Sequence, residues 1–215
     1  MKPAYLLLFA VLLALGSCTG KSADKAPAQQ PSSETTSTAQ AESEPTAEPQ
    51  PEKVPPLERT LTAGKVSFTL SCSNESAEKN VLCAQPQGLE VRNDQLCLDV
   101  EGQARDAFQA DLNKDGFIEV YTFTAGPDAR GHLYGFASYR NRSYGPINVR
   151  EPKDALLQGY QGQDAFYVKE GQIKREFPLY NDNGQLSGQR RVITYQLKQG
   201  ETSFILEPGN SETVN

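Results

Sequence analysis

From Arg59 onward apolar and polar positions alternate with a period of two, the repeat of a half-buried strand. Val66, Phe68 and Leu70 alternate with Lys65, Ser67 and Thr69. Asn93-Asp94 sits between Leu89-Glu90-Val91 and Leu96-Cys97-Leu98-Asp99-Val100. Glu170-Gly171 separates the Ala165 to Val168 run from the Ile173 to Phe177 run, and Gln199-Gly200 separates Val192 to Leu197 from Ser203 to Leu206. Turn signals recur every ~8–15 residues, the spacing of an all-β sandwich. The pattern predicts one all-β domain, an antiparallel β-sandwich over residues 59–207, with a frayed tail at 208–215. One short helical turn is predicted between Pro152 and Gln158, with the proline near its first position.

The densest signal runs from Asp106 to Ser143 and reads as two hairpins in series. Asn113-Lys114-Asp115-Gly116 forms the first turn, because Gly116 tolerates positive φ and the Asn and Asp side chains can close it on nearby N–H groups. Phe117 to Phe123 is aromatic and β-branched, hence a strand, and Leu133 to Ala137 is its partner. Between them Ala125 to Gly131 is longer than a tight connector requires, which predicts a projecting loop that meets a partner.

Ahead of the domain the pattern changes twice. Tyr5 to Leu15 is an apolar run after Lys2, too short for a spanning helix of about 20 residues, and reads as a signal-peptide core over residues 1–17. It ends in Leu15-Gly16-Ser17-Cys18, which resembles the lipobox of bacterial lipoproteins and predicts lipidation of Cys18. Thr19 replaces the Asp that retains such proteins in the inner membrane, so the resemblance implies the outer membrane of a bacterial cell envelope. Residues 18–58 hold Ala, Ser, Thr, Pro, Gln and Glu with almost no large apolar residue, the composition of a disordered tether. About 40 such residues give an average reach of about 35 Å.

Composition narrows the chemistry. The net charge is −6, and there is one His and no Trp. No basic field is present to hold nucleic acid, and little is available for acid–base catalysis at neutral pH. No nucleophile–base motif or metal-protease spacing occurs, so the chain is read as not an enzyme, with no cofactor and no metal assigned. Asp111, Asn113, Asp115, Gly116 and Glu119 do resemble the start of a calcium loop, but Thr122 stands where an EF-hand has its bidentate Glu. A turn closed by its own side chains is the preferred reading, and a calcium-stabilised structural lipoprotein the alternative. Cys72, Cys83 and Cys97 remain beside Cys18, so one disulfide and one leftover thiol are expected. Cys72 continues the Val66, Phe68, Leu70 face and Cys83 follows a polar loop of hairpin length. Cys72–Cys83 is therefore the favoured pair, with Cys97 as the alternative partner.

Several segments carry a further signal: Val100-Glu101-Gly102-Gln103, Asp106-Ala107-Phe108, Ala110 to Phe117, Tyr134-Gly135-Phe136-Ala137 leading to Asn141-Arg142-Ser143, Gly159-Tyr160-Gln161-Gly162-Gln163-Asp164, and Arg175-Glu176-Phe177-Pro178-Leu179-Tyr180. Their order and spacing, over roughly Val100 to Leu206, resemble the bacterial periplasmic inhibitors of invertebrate-type (i-type) lysozyme. The resemblance implies a β-sandwich whose loop after the central strand enters a lysozyme cleft. Family members carry Ser-Gly-x-Tyr there, and this chain has Pro127-Asp128-Ala129-Arg130, so both hydroxyls are absent. Arg130 offers a bidentate donor to the two carboxyl groups of a lysozyme cleft. Asp128 opposes them unless it pairs with Arg130. With His132, and with Arg140 and Arg142 in the next turn, these residues form the expected partner-binding set. The expected partners are a lysozyme, i-type first, or another envelope protein or glycan. The membrane is reached through the lipid anchor, and a homodimer is possible on this scaffold.

Overall fold

The computed structural model describes residues 54–215. The signal segment, Cys18 and nearly all of the tether lie outside the described residues. Within them the chain is all-β, with antiparallel pairing throughout except at one short strand, and its only helical element is a 3₁₀ turn at Asp154–Leu156, inside the stretch where a helical turn was predicted. The first sheet has the order β1 (Leu57–Ala63), β2 (Val66–Cys72), β3 (Lys79–Gln87), β4 (Leu96–Glu101). The second holds β5 (Gln103–Ala110), β6 (Glu119–Ala125), β7 (Gly131–Tyr139) and β8 (Ser143–Pro146). The third runs β10 (Ala165–Lys169), β11 (Gln172–Tyr180), β12 (Leu186–Gln199), β13 (Phe204–Val214), β9 (Asn148–Val149), with β9 added parallel to β13.

The second sheet is the middle of the domain. Val120 and Phe136 on one face join Phe68, Leu70 and Leu82 of the first sheet in one apolar cluster. Tyr121, Leu133 and Ala137 on the other face join Ile173, Phe177, Ile193 and Leu206 of the third. A strand buried on both faces loses strict polar alternation, and β6 accordingly buries Val120 and Tyr121 in succession, one on each face. Burying each such large side chain contributes about 1.5–3 kcal/mol, so the β6–β7 hairpin is gripped from both sides.

Three expectations are corrected. Leu89 to Val91 is not a strand: the N–H groups of Glu90, Val91 and Arg92 donate to the carbonyls of Asn141 and Arg142 at 2.8, 3.0 and 3.0 Å instead of to a ladder. The polar loop before Cys83 is present at residues 73–78, the turn between β2 and β3, and β3 begins at Lys79; Asn80 ties it down, its Nδ2 donating to the Ser76 and Gly102 carbonyls at 2.6 and 2.8 Å. The disulfide joins Cys83 to Cys97, not to Cys72. In the β2–β3 register Cys72 faces Leu82 on the core side, while Cys83 lies one residue on and points to the opposite face. There it sits directly across from Cys97, with Cα atoms 4.1 Å apart. Cys72 is left a buried free thiol. Closing a loop of 14 residues stabilises the fold by about 3 kcal/mol. Finally, the ends of the domain move outward. Leu57 and Glu58, assigned to the tether, already belong to β1, and the tail at 208–215 pairs with β12 as far as Val214 opposite Arg190. Pro208-Gly209 and the exposed polar residues after them hide that strand's period.

Candidate functional site

The β6–β7 hairpin turns in three residues, not six or seven. The strand ladder ends at Ala125 and Gly131, but Gly126 N donates to Arg130 O at 2.9 Å and Ala129 N to Gly126 O at 3.0 Å, so only Pro127, Asp128 and Ala129 lie beyond the closing hydrogen bond. This is the bonding of a type I turn closed by a left-handed residue. That residue is Ala129, with φ 60°, whereas neither Gly126 nor Gly131 has positive φ. Gly131 is needed for space: a Cβ there would come within 2.6 Å of Asp164 and 2.7 Å of Phe123. At the tip Arg130 Nε stands 3.3 Å from Asp128 Oδ2. Both side chains are about 60% exposed, so the pair is worth at most about 1 kcal/mol and is readily exchanged for another.

The expected projection of the loop is corrected by what lies under it. Gln163 N donates to Ala129 O at 2.7 Å, and Gly131 N donates to Asp164 Oδ2 at 2.7 Å. Gly162 makes the close approach possible, since a Cβ on it would come within 2.8 Å of Ala129 O. Asp164 is in turn held by Arg175, whose Nε donates to Oδ1 at 2.6 Å, and by the Tyr160 hydroxyl, which donates to Oδ2. Arg175 NH2 donates to Tyr160 Oη at 3.0 Å and NH1 to Glu151 at 3.3 Å. The Asp164 and Arg175 side chains are 0% and 4% exposed. Burial works against the charge on Arg175, but the hydrogen bond and charge of Asp164 outweigh it and hold the guanidinium protonated beyond its ordinary range. Burial, then the bond to Asp164, pushes the Tyr160 phenol up to about 12. The guanidinium also lies over the rings of Tyr160, Phe166 and Phe177 at 5.2, 5.5 and 5.8 Å. The tip is thus a tight turn bolted to the third sheet.

The expected partner-binding set is divided. Arg130 and Arg140 bracket the nine residues of β7, which span about 27 Å at roughly 3.4 Å per residue. Pro127, Asp128, Ala129, Arg130 and His132 belong to the tip end, and Arg140 and Arg142 to the far end. His132 faces sideways on β7, with Nε2 3.4 Å from Glu101 Oε2. Among the described residues no nucleophile hydrogen-bonds this histidine.

At the far end two features meet. Arg140 and Arg142 line an open groove of about 660 Å³ together with Arg92, Phe117, Tyr139 and Gln199. Beside it lies the acidic turn, where carboxylate oxygens of Asp111, Asp115 and Glu119 lie within 4.8 Å of one another. Asp111 accepts from Asp115 N and Gly116 N at 3.1 and 3.0 Å, Asn113 Oδ1 from Asp115 N at 3.1 Å, and Asp115 Oδ1 from Phe117 N at 2.9 Å. These bonds are those of the self-closed turn. Glu119 is different: it is 2% exposed and accepts from Leu112 N at 2.9 Å. Burial first, then Asp111 and Asp115, push its carboxyl up to about 7 against the pull of that N–H. The set has the hard oxygens a divalent cation needs, and equally serves as a proton-holding carboxyl.

Sequence reasoning missed the bolt and the groove. Both join residues far apart in the chain: Asp164 and Arg175 meet Gly131, and Arg92 meets the turn at Arg140. The bolt's trace in the sequence was the Gly162-Gln163-Asp164 and Arg175-Glu176-Phe177 segments within the resemblance, and the groove's was Arg140 with Asn141-Arg142-Ser143. Compared with known proteins, the chain matches no protein-family model and no curated protein.

Proposed function

We propose that this chain is a non-catalytic, envelope-anchored binding protein whose 126–130 tip enters the cleft of a lysozyme, i-type first. One observation carries the reading: Asp128 and Arg130 are presented in solvent on a turn already fixed by Asp164 and Gln163. A tip ordered before binding avoids the entropy cost of ordering it at the interface. Within a cleft that holds two carboxyl groups, Arg130 keeps Asp128 neutralised through Nε and offers its remaining guanidinium N–H groups to a cleft carboxylate. The purified protein is added to i-, c- and g-type lysozymes in a lysis assay. Inhibition of the i-type enzyme is expected. Arg130→Ala should weaken it by about 30- to several-thousand-fold, the ~2–5 kcal/mol of truncating one partner of a buried charged pair. Pro127→Ser with Arg130→Tyr, which restores the hydroxyls of the family resembled, should raise affinity. If the wild type inhibits no class and the restored variant does, the scaffold is right and the inhibitor reading of this chain is wrong.

A further inference from the structure

The far end presents positive charge that the protein itself leaves unanswered. Arg92 reaches the groove from the 88–95 loop, and Arg140 and Arg142 reach it from the β7–β8 turn. Three backbone hydrogen bonds, from Glu90, Val91 and Arg92 to the carbonyls of Asn141 and Arg142, fix the two segments together. Arg92 has a carboxylate partner, Asp94 at 3.3 Å, but the pair is over 70% exposed and weak. Arg140 and Arg142 form no ion pair among the described residues. Asp115 also lines the groove, and its carboxylate is engaged by Phe117 N and Asn113 Nδ2. The turn holds Arg140 and Asn141 at φ 56° and 53°, a region glycine occupies at lower cost.

The groove adds a second kind of chemistry. The half-buried ring of Tyr139 lies 5.4 Å from that of Phe204 and rests on Gly145, where a Cβ would come within 3.3 Å of it. The Ser143 and Gln199 side chains bring hydroxyl and amide groups. Guanidinium forks match carboxylate and phosphate oxygens. Aromatic faces cover the apolar face of a sugar ring, and hydroxyl and amide groups meet its hydroxyls. A volume of about 660 Å³ lies inside the ~300–1,000 Å³ range of small-ligand sites.

We propose that this groove binds an anionic saccharide, with its carboxylate or phosphate groups held by Arg92, Arg140 and Arg142 and one ring laid against Tyr139. A densely charged nucleic acid suits it less well. Residues 59–215 carry 17 Lys/Arg and 20 Asp/Glu, a net of −3, so no basic field extends beyond the groove to follow a polyphosphate backbone. The site is separate from the tip and stands whether or not a lysozyme is the target there.

The test is calorimetric titration of the full chain with trigalacturonate, neutral trigalactose, inorganic phosphate and oligothymidylate. Trigalacturonate should bind saturably and lose affinity as salt rises. Trigalactose, and trigalacturonate on the Arg140→Ala/Arg142→Ala variant, should bind at least about tenfold more weakly. Arg150→Ala, an exposed arginine outside the groove, should bind as wild type, and thermal melts verify that both variants fold. The proposal is overturned if trigalacturonate gives no saturable binding, or if the double variant or the neutral sugar binds as tightly. Inorganic phosphate binding as well as trigalacturonate would reduce the groove to an ion site and overturn the saccharide assignment. Tighter binding of oligothymidylate would overturn it in favour of nucleic acid.

Discussion

The two ends of the β6–β7 hairpin handle charge in opposite ways. At the tip end every buried charge is answered: Asp164 by Arg175, Gly131 N and Tyr160, and Arg175 also by Glu151 and three rings. At the far end a buried carboxyl, Glu119, has two carboxylates beside it, and among the described residues only Arg92 of the groove's arginines forms an ion pair, to Asp94, although Asp115 also lines the groove. One hairpin gripped between two apolar clusters therefore carries a rigid, internally neutral end and an end with unanswered charge of both signs. The difference separates two roles. Compensated charge positions a backbone, whereas uncompensated charge is available to a ligand or a proton.

The largest effect expected from breaking this contrast is at Asp164. Asp164→Ala leaves Arg175 charged and 4% exposed without its main partner, and removing one member of a buried pair costs about 3–5 kcal/mol. It also frees Gly131 N, so the tip should loosen. Denaturant unfolding should show the loss, and hydrogen exchange at Gly131 and Gln163 should quicken. Replacing both partners together, Asp164→Leu with Arg175→Met, should cost far less, because no orphaned charge remains. Equal losses for the single and double variants would mean that packing, not compensated charge, holds the tip.

At the far end the corresponding change is a proton. The Glu119 carboxyl lies near 7 in the folded protein against 4.5 when exposed. The folded state therefore binds this proton more tightly than the unfolded state does. Its contribution to stability is fully present below about pH 4.5 and is lost as pH rises through about 7. The whole loss is at most about 3 kcal/mol, and smaller because Asp115 faces water. Glu119→Gln should flatten this part of the profile and be more stable than wild type at pH 8 in chelator-treated buffer. If wild type is the more stable protein there, the carboxylate is being stabilised as an anion and the contrast between the ends fails. Recovery of wild-type stability with millimolar calcium, absent in Glu119→Gln, would place a cation among the three carboxylates.

What the sequence made legible follows from how local each feature is. The alternation of Val66 to Cys72, the Glu170-Gly171 turn and the strand after Gly116 depend on neighbours in the chain; the first two stand where the pattern put them, and the strand is shifted two residues on, to Glu119–Ala125. Asn80 concealed the start of β3 because its amide bridges Ser76 and Gly102, a contact with no periodic signature. The disulfide was misassigned because the pairing of Cys83 depends on the β3–β4 register, which a polar-looking β3 did not disclose. Arg130 and Arg140 were placed in one surface because ten positions along a chain look close. A strand at about 3.4 Å per residue takes them to opposite ends of a domain. Fold class was readable from period and turns. The division of the candidate site was not, since it depends on which residues stay in the ladder.

The smallest predicted effect sharpens the comparison at a single backbone position on each end. Ala129 at the tip and Arg140 at the far end both hold a left-handed backbone, φ 60° and 56°. For a residue with a Cβ this costs about 1–2 kcal/mol. At Ala129 the side chain is one exposed methyl, and the interactions that matter there are made by its backbone: the N–H to Gly126 and the carbonyl to Gln163. Ala129→Gly keeps both and relieves the strain, while the unfolded chain gains about 0.4–1 kcal/mol of entropy in opposition. The net should be a stabilisation of about 0.5–1 kcal/mol, read as a rise of about 1–4 °C in Tm, with lysozyme inhibition unchanged. Arg140→Gly relieves the same strain but removes a guanidinium from the groove, so it should gain similar stability and lose affinity for the anionic sugar. A fall in Tm for Ala129→Gly would show that the tip needs its methyl group. Unchanged sugar affinity in Arg140→Gly would show that Arg140 occupies its strained position for no ligand.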